Sequence, residues 1–220
     1  MLDFHHRGGV AEPMIELFLS AFALLFVVID PPGCAPIYAG LTKGARPTQQ
    51  RAMAVRAVMI ATAILLVFAL VGEALLRTLG ISLSAFRIAG GIMLFIIALE
   101  MVFEKRQERR EDRAEKVMQT PEVEDVSVFP MAMPMIAGPG SIATIMLLVS
   151  RAEGPGETAA VFGALALVLV LTLAALLAAG PLMRVLGAKI ESVITRLLGV
   201  LLAALAIQFV IDGVKQSFAI

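Results

Sequence analysis

Cysteine occurs once in this chain of 220 residues, as Cys34; tryptophan is absent, and Tyr38 is the one tyrosine. A single thiol excludes an intrachain disulfide and a cysteine-rich metal site. The two histidines, His5 and His6, stand in a polar head, so no histidine is available at depth as ligand or base. Charge is scarce as well: charged residues make up 16%, and 18 basic residues balance 18 acidic ones. That balance, without an aromatic-basic pattern, gives no argument for a nucleic-acid partner. No glycine-rich Walker loop is present, so direct ATP coupling has no support, and neither cofactor nor metal is expected. What fills the chain is apolar: 59% of its residues are hydrophobic, with a mean hydropathy of +0.91. A soluble domain would expose far too much apolar surface, so the expected class is an all-α polytopic membrane protein.

Six apolar segments are each long enough for the roughly 20 helical residues that cross a bilayer. They run from about Met14 to Thr42, Arg51 to Leu76, Leu83 to Phe103, Val128 to Ser150, Thr158 to Leu182 and Ser192 to Val214. Residues 1–13 form a polar head. The first segment is too long for a signal-peptide core and lacks a small-residue cleavage site, so it reads as an uncleaved helix. Residues 104–127 form a charged linker, with the bland expectation that it is solvated.

Two segments carry breaks. In the first, Ile29-Asp30-Pro31-Pro32-Gly33-Cys34-Ala35-Pro36 removes backbone donors and sets a carboxylate near the midplane. In the fourth, Pro130, Pro134 and Ala137-Gly138-Pro139-Gly140-Ser141 do the same without the acid. A displacement of 107 positions lays Ile29–Cys34 on Ile136–Ser141, and Leu75-Leu76-Arg77-Thr78-Leu79-Gly80 on Leu182-Met183-Arg184-Val185-Leu186-Gly187. A displacement of 108 lays Gly91 on Gly199 and Glu100 on Gln208. These anchors divide the chain into repeats at 14–103 and 128–220. Each holds three spans, an odd number, so the second copy enters from the opposite side and the repeats are inverted.

Thirteen of the eighteen lysines and arginines lie in or beside the links after segments 1, 3 and 5; the others are Arg7, Arg77, Arg87, Arg151 and Lys215. The excess puts those links in the cytoplasm and both termini outside.

Paired breaks in inverted repeats predict a substrate site between the halves. The half-helix after each break offers free amides and the positive end of its dipole, which suit a carboxylate. The candidate substrate residues are Asp30, Pro32, Gly33, Cys34, Gly138, Gly140, Ser141, Thr144 and Gln208. Asp30 has three open roles: partner of a substrate ammonium, carrier of a coupling proton, or cap of the following half-helix. Ser141 and Thr144 have the alternative of bonding back to helix carbonyls, and Gln208 of bridging helices. Glu73, Glu100 and Asp212 read as interfacial acids, and Gly90, Gly91 and Gly199 as packing glycines.

Met14-Ile15-Glu16-Leu17-Phe18, the Asp30 break, Arg87-Ile88-Ala89-Gly90-Gly91, Ile136–Ser141 and Gln208-Phe209-Val210-Ile211-Asp212-Gly213 together resemble the MarC family. These are six-span inner-membrane proteins of bacteria and archaea, named for an antibiotic-resistance locus. The resemblance implies inverted three-helix repeats in the bacterial inner membrane and kinship with transporters of small neutral amino acids such as alanine and glycine. It makes the expected function secondary transport or export of such zwitterions by alternating access, with a proton or sodium ion as possible coupling partner and membrane lipid around it. The competing expectations are a structural or regulatory membrane protein, or efflux of another small metabolite or drug. A thiol–disulfide shuttle needs a cysteine in each half, and Ser141 stands opposite Cys34. An intramembrane hydrolase lacks a nucleophile–base pair at depth, so the chain is not expected to be an enzyme. Direction of transport and oligomeric state are not encoded in any motif.

Overall fold

The computed structural model describes residues 11–118 and 125–218, so the head, apart from the helical backbone of its last three residues, and part of the linker lie outside the described residues. Every regular element among them is helical. In chain order they are α1 (Ala11–Ile29), α2 (Pro31–Leu41), α3 (Pro47–Thr78), α4 (Leu83–Val102), α5 (Lys105–Met118), a wide-turned segment (Ser127–Ile136), α6 (Pro139–Val149), α7 (Pro155–Leu177) and α8 (Ala179–Phe218). Five stretches are long and apolar enough to cross a membrane: Met14–Leu41, Pro47–Thr78, Leu83–Val102, Pro155–Leu177 and Thr195–Phe218. The wide-turned segment and α6, bent by 52° at their junction, make a sixth if counted as one span.

The first break is one residue wide. Asp30 takes a left-handed conformation (φ 59°, ψ 66°), a region that Asp tolerates better than most residues and to which its position before Pro31 contributes by disfavouring the right-handed helix. The ladder resumes at once: the Asp30 amide donates to Phe26 O at 2.9 Å, and the Cys34 amide to Asp30 O at 3.1 Å. Pro31 and Pro32 occupy the first turn of α2, where a missing N–H costs nothing. The second break is longer. Phe129 and Met133 are extended rather than helical, as residues preceding prolines tend to be. Ala137 and Gly138 then separate this segment from α6, which starts on Pro139. Gly138 admits no side chain, because a Cβ there would run into the Pro134 carbonyl.

Close approaches fix how the helices pair. Along α4 and α8, a Cβ on Gly91 would stand 2.8 Å from the Ala206 carbonyl and beside Val210, and one on Gly199 would stand 3.1 Å from the Ala98 carbonyl and beside Val102. The two contacts map onto each other at a displacement of 108. In a bilayer, where lipid is as apolar as leucine, such backbone proximity is what holds helices together. Order of contact gives direction. Gly91 meets residues 206–210 while Gly213 meets Ser84 and Ile88, so α4 and α8 are antiparallel. Met14 meets Gly156 and Phe18 meets Gly163, so α1 and α7 are parallel. Arg56 pairs with Asp125 and Gly72 meets Met146, so α3 and the second broken element are parallel.

Two stretches differ from expectation. Ala179–Phe218 is a single helix of 40 residues, so the link expected between segments 5 and 6 is helical. Pro181 lies in its first turn, and no further proline follows to stop it. At 1.5 Å per residue α8 is about 60 Å long, twice a hydrocarbon core, so its first turns extend beyond the apolar stretch. The charged stretch after α4 is also more than a solvated linker. Glu104 turns the chain with φ 61°, and α5 runs back against α2, α4 and the wide-turned segment.

Candidate functional site

Asp30 is buried, at 4% exposure, and it has two partners. Its Oδ1 accepts the Gly33 amide at 3.1 Å, capping α2, and its Oδ2 takes Nη1 of Arg110 at 2.8 Å. Arg110 comes from α5, is itself buried, and also donates to the Ile29 carbonyl at 3.3 Å. Of the three roles open to Asp30, capping is therefore realised, and an arginine of the chain stands where an ammonium would. Gly33 makes this possible: a Cβ there would collide with the Asp30 carboxylate and reach Arg110 at 3.0 Å.

The sequence spacing of α5 explains how it reaches in. At 100° per residue, Arg106, Arg109 and Arg110 fall on one face, and Glu108, Glu111, Asp112 and Glu115 on the opposite one. The four acids are exposed. Inward, Arg106 donates to the Val28 carbonyl and approaches the Met101 sulfur at 3.2 Å. Among the described residues no carboxylate lies within ion-pair distance of it. Burial first, and the neighbouring Arg110 second, pull its guanidinium down to about 10, since both disfavour a further positive charge, against the smaller opposing effect of Asp30 and Glu100.

A cavity of about 320 Å³ lies beside this row, bounded by Val28, Arg106, Arg109 and Arg110 on one side, by Met93, Ile96, Ile97 and Glu100 of α4, and by Pro134, Met135 and Gly138-Pro139-Gly140-Ser141. Its size sits at the low end of small-molecule pockets. Gly140 and Ser141 are in the first turn of α6, whose N-terminus has no side-chain cap, so their amides have no helical acceptor. Glu100 is paired with Arg109. Gly140 keeps the cavity wall thin, because a Cβ there would strike Ile97.

Of the nine candidate residues, then, Gly138, Gly140 and Ser141 line the cavity, and Asp30 meets it through Arg110. Pro32, Gly33 and Cys34 lie behind that ion pair in α2. Thr144 is buried one turn into α6, with its hydroxyl donated to the Gly140 carbonyl at 2.7 Å, the back-bond expected of a helix threonine. Gln208 is exposed and donates to Asp212 at 2.7 Å, away from the cavity. Asp212 in turn pairs with Arg151, which lies over the Phe209 ring at 4.3 Å. Sequence reasoning missed Arg106, Arg109, Arg110 and Glu100. The signal that would have found the arginines is the segregation of the two signs around α5.

The fold and the cavity together describe an integral membrane protein that crosses the bilayer several times. Residues 15–218 match the family described as MarC family integral membrane protein, and the chain belongs to that family. A UPF0056 membrane protein of Methanocaldococcus jannaschii is 34% identical over 203 residues, which are 92% of this chain and 98% of that one. The UPF0056 membrane protein YvbG of Bacillus subtilis is 33% identical over 207 residues, 94% of this chain and 98% of its own. The UPF0056 inner membrane protein YhgN of Escherichia coli is 34% identical over 198 residues, 90% and 96% of the two chains. No solved structure matches the chain.

Proposed function

We propose that the protein is a secondary transporter of small neutral amino acids of the alanine and glycine type, working by alternating access in the inner membrane. The observation that carries the proposal is the cavity at the second break, which joins the uncapped start of α6 to charged groups of both signs. A zwitterion needs such a pair: amides and guanidinium groups for its carboxylate, and an acid for its ammonium. Glu100 is the acid on the cavity wall; Asp30, held by Arg110, is not on it. The cavity's small volume and the apolar Val28, Ile96 and Ile97 favour short side chains.

Alternating access calls for two halves that can rock about the site. An inverted repeat of three spans is supported by the parallel pairing of α1 with α7 and of α3 with the second broken element, and by the antiparallel α4 and α8. The reciprocal glycine contacts at Gly91 and Gly199 support it too. Two peripheral cavities add to this: Ala39, Thr42, Leu176, Leu177 and Gly180 line one, and Met146, Val149, Ala69, Leu70 and Glu73 line the other. These five residues of each lining correspond at a displacement of 107; the remaining lining residues differ. The excess of basic residues places α5 on the cytoplasmic side in this proposal.

The test is uptake of labelled alanine and glycine into liposomes holding the purified protein, with and without proton and sodium gradients. Saturable uptake, lost when Gly33→Val and Gly140→Val are combined, is the expected result. Uptake that stays flat under every gradient, with the protein folded, would remove the proposal.

A further inference from the structure

The two half-helices that follow the breaks are equivalent in position and different in chemistry. At α2 the chain provides its own carboxylate: Asp30 accepts the Gly33 amide and is held by the Arg110 guanidinium. At α6 the position equivalent to Asp30 is Ala137, and the position equivalent to Gly33 is Gly140. No side chain caps that turn. Yet the cationic half of the arrangement is present there, since Arg106, Arg109 and Arg110 border the same cavity as Gly140 and Ser141. Glu100 and Asp30 offset Arg109 and Arg110. Arg106 is the cation without an ion pair of its own among the described residues: it donates to a carbonyl and approaches a sulfur, and Asp30 and Glu100 act on it only from beyond ion-pair distance.

We infer that this cavity is a carboxylate site, in which a small ligand's carboxylate takes, between Arg106 and the Gly140 and Ser141 amides, the place that Asp30 takes between Arg110 and Gly33. Arg106 is the residue that recognises it, and α5 is part of the binding site rather than a tether between two halves. A guanidinium together with backbone amides suits a planar, two-oxygen acceptor and carries little preference for what is attached behind it. The inference rests on the transporter proposal only for the size and type of ligand; binding is testable without transport.

The experiment measures thermal unfolding of the full-length protein in lipid nanodiscs against two matched pairs: L-alanine with L-alaninamide, and acetate with acetamide. Both acids are expected to raise the unfolding temperature saturably, and neither amide to do so. Arg106→Gln is expected to weaken the response to the acids about tenfold or more, the scale of one charge-assisted hydrogen bond. Arg77→Gln, on an exposed helix end far from the cavity, leaves it unchanged. In the unsubstituted protein, modification of Arg106 by phenylglyoxal, mapped by mass spectrometry, is expected to be slowed by acetate and not by acetamide, which keeps the test independent of whether Arg106→Gln folds. Equal responses to acid and amide, no response to either acid, or an undiminished response in Arg106→Gln would each overturn the inference. Acid-specific stabilisation together with flat liposome uptake would sink the transporter proposal and leave the site standing.

Discussion

Asp30 and Arg110 are charges that lipid-facing sequence rarely tolerates, and they are retained here as a pair with side-chain exposures of 5% and 6%. Two ions taken from water together recover their desolvation cost through close geometry and extra hydrogen bonds, which the Gly33 amide and the Ile29 carbonyl supply. Removing one partner strands the other. Asp30→Asn keeps a capping oxygen for Gly33 but takes the carboxylate away from the buried Arg110 guanidinium. It is expected to cost about 3–5 kcal/mol in folding stability, and Arg110→Gln a similar amount. The double variant Asp30→Asn, Arg110→Gln is expected to recover a large part of the summed loss, since the two positions form one unit. Chemical unfolding of all four proteins in nanodiscs decides the matter; strictly additive losses would mean that the pair is not energetically coupled.

At the scale of helices, glycines bring the backbones of α4 and α8 into close approach. Gly91→Ala pushes a methyl toward the Ala206 carbonyl, and Gly199→Ala pushes one toward the Ala98 carbonyl. Each substitution is expected to destabilise by about 1–3 kcal/mol, the usual cost of overpacking a tight interface. The two sites lie two helical turns apart with no shared neighbour, so their costs should add. Thermal unfolding of the single and double variants checks this; a costly Gly91→Ala beside a neutral Gly199→Ala would mean that the two contacts are not equivalent. Both breaks, five of the spans and these packing glycines were legible in the sequence, because proline, glycine and long apolar runs act locally. What α5 does was not. The segregation of its two signs marks one basic face, but only the tertiary fold reveals that Arg110 leaves water to meet Asp30 and Ile29 and that Arg106 turns in to Val28. The same limit applies to Glu100, which is indistinguishable from an interfacial acid until Arg109 is seen beside it. Gln208 fails in the opposite direction: its depth in an apolar run suggested the interior, but its helix face points away from the cavity.

For the molecule as a whole, the arrangement sets a condition on any motion. A rocking of the two halves that opens the cavity toward the α5 side must separate α5 from the first break, and the Asp30–Arg110 pair holds them together. The lone thiol lies just behind that pair. Cys34 is fully buried in α2, which packs against α5, and its sulfur lies 3.5 Å from the Ile29 carbonyl. A membrane-permeant maleimide is therefore expected to label the resting protein slowly, and Arg110→Gln about tenfold faster or more, as the latch against local opening weakens. Equal labelling rates would show that α5 does not govern access. Because no other cysteine competes for reagent, the unmodified chain carries its own tracer. The rate at which tagged protein accumulates in a mass spectrum, set against the rate for the same thiol in unfolded protein, gives the fraction of molecules with α5 lifted, whatever solute proves to cross the membrane.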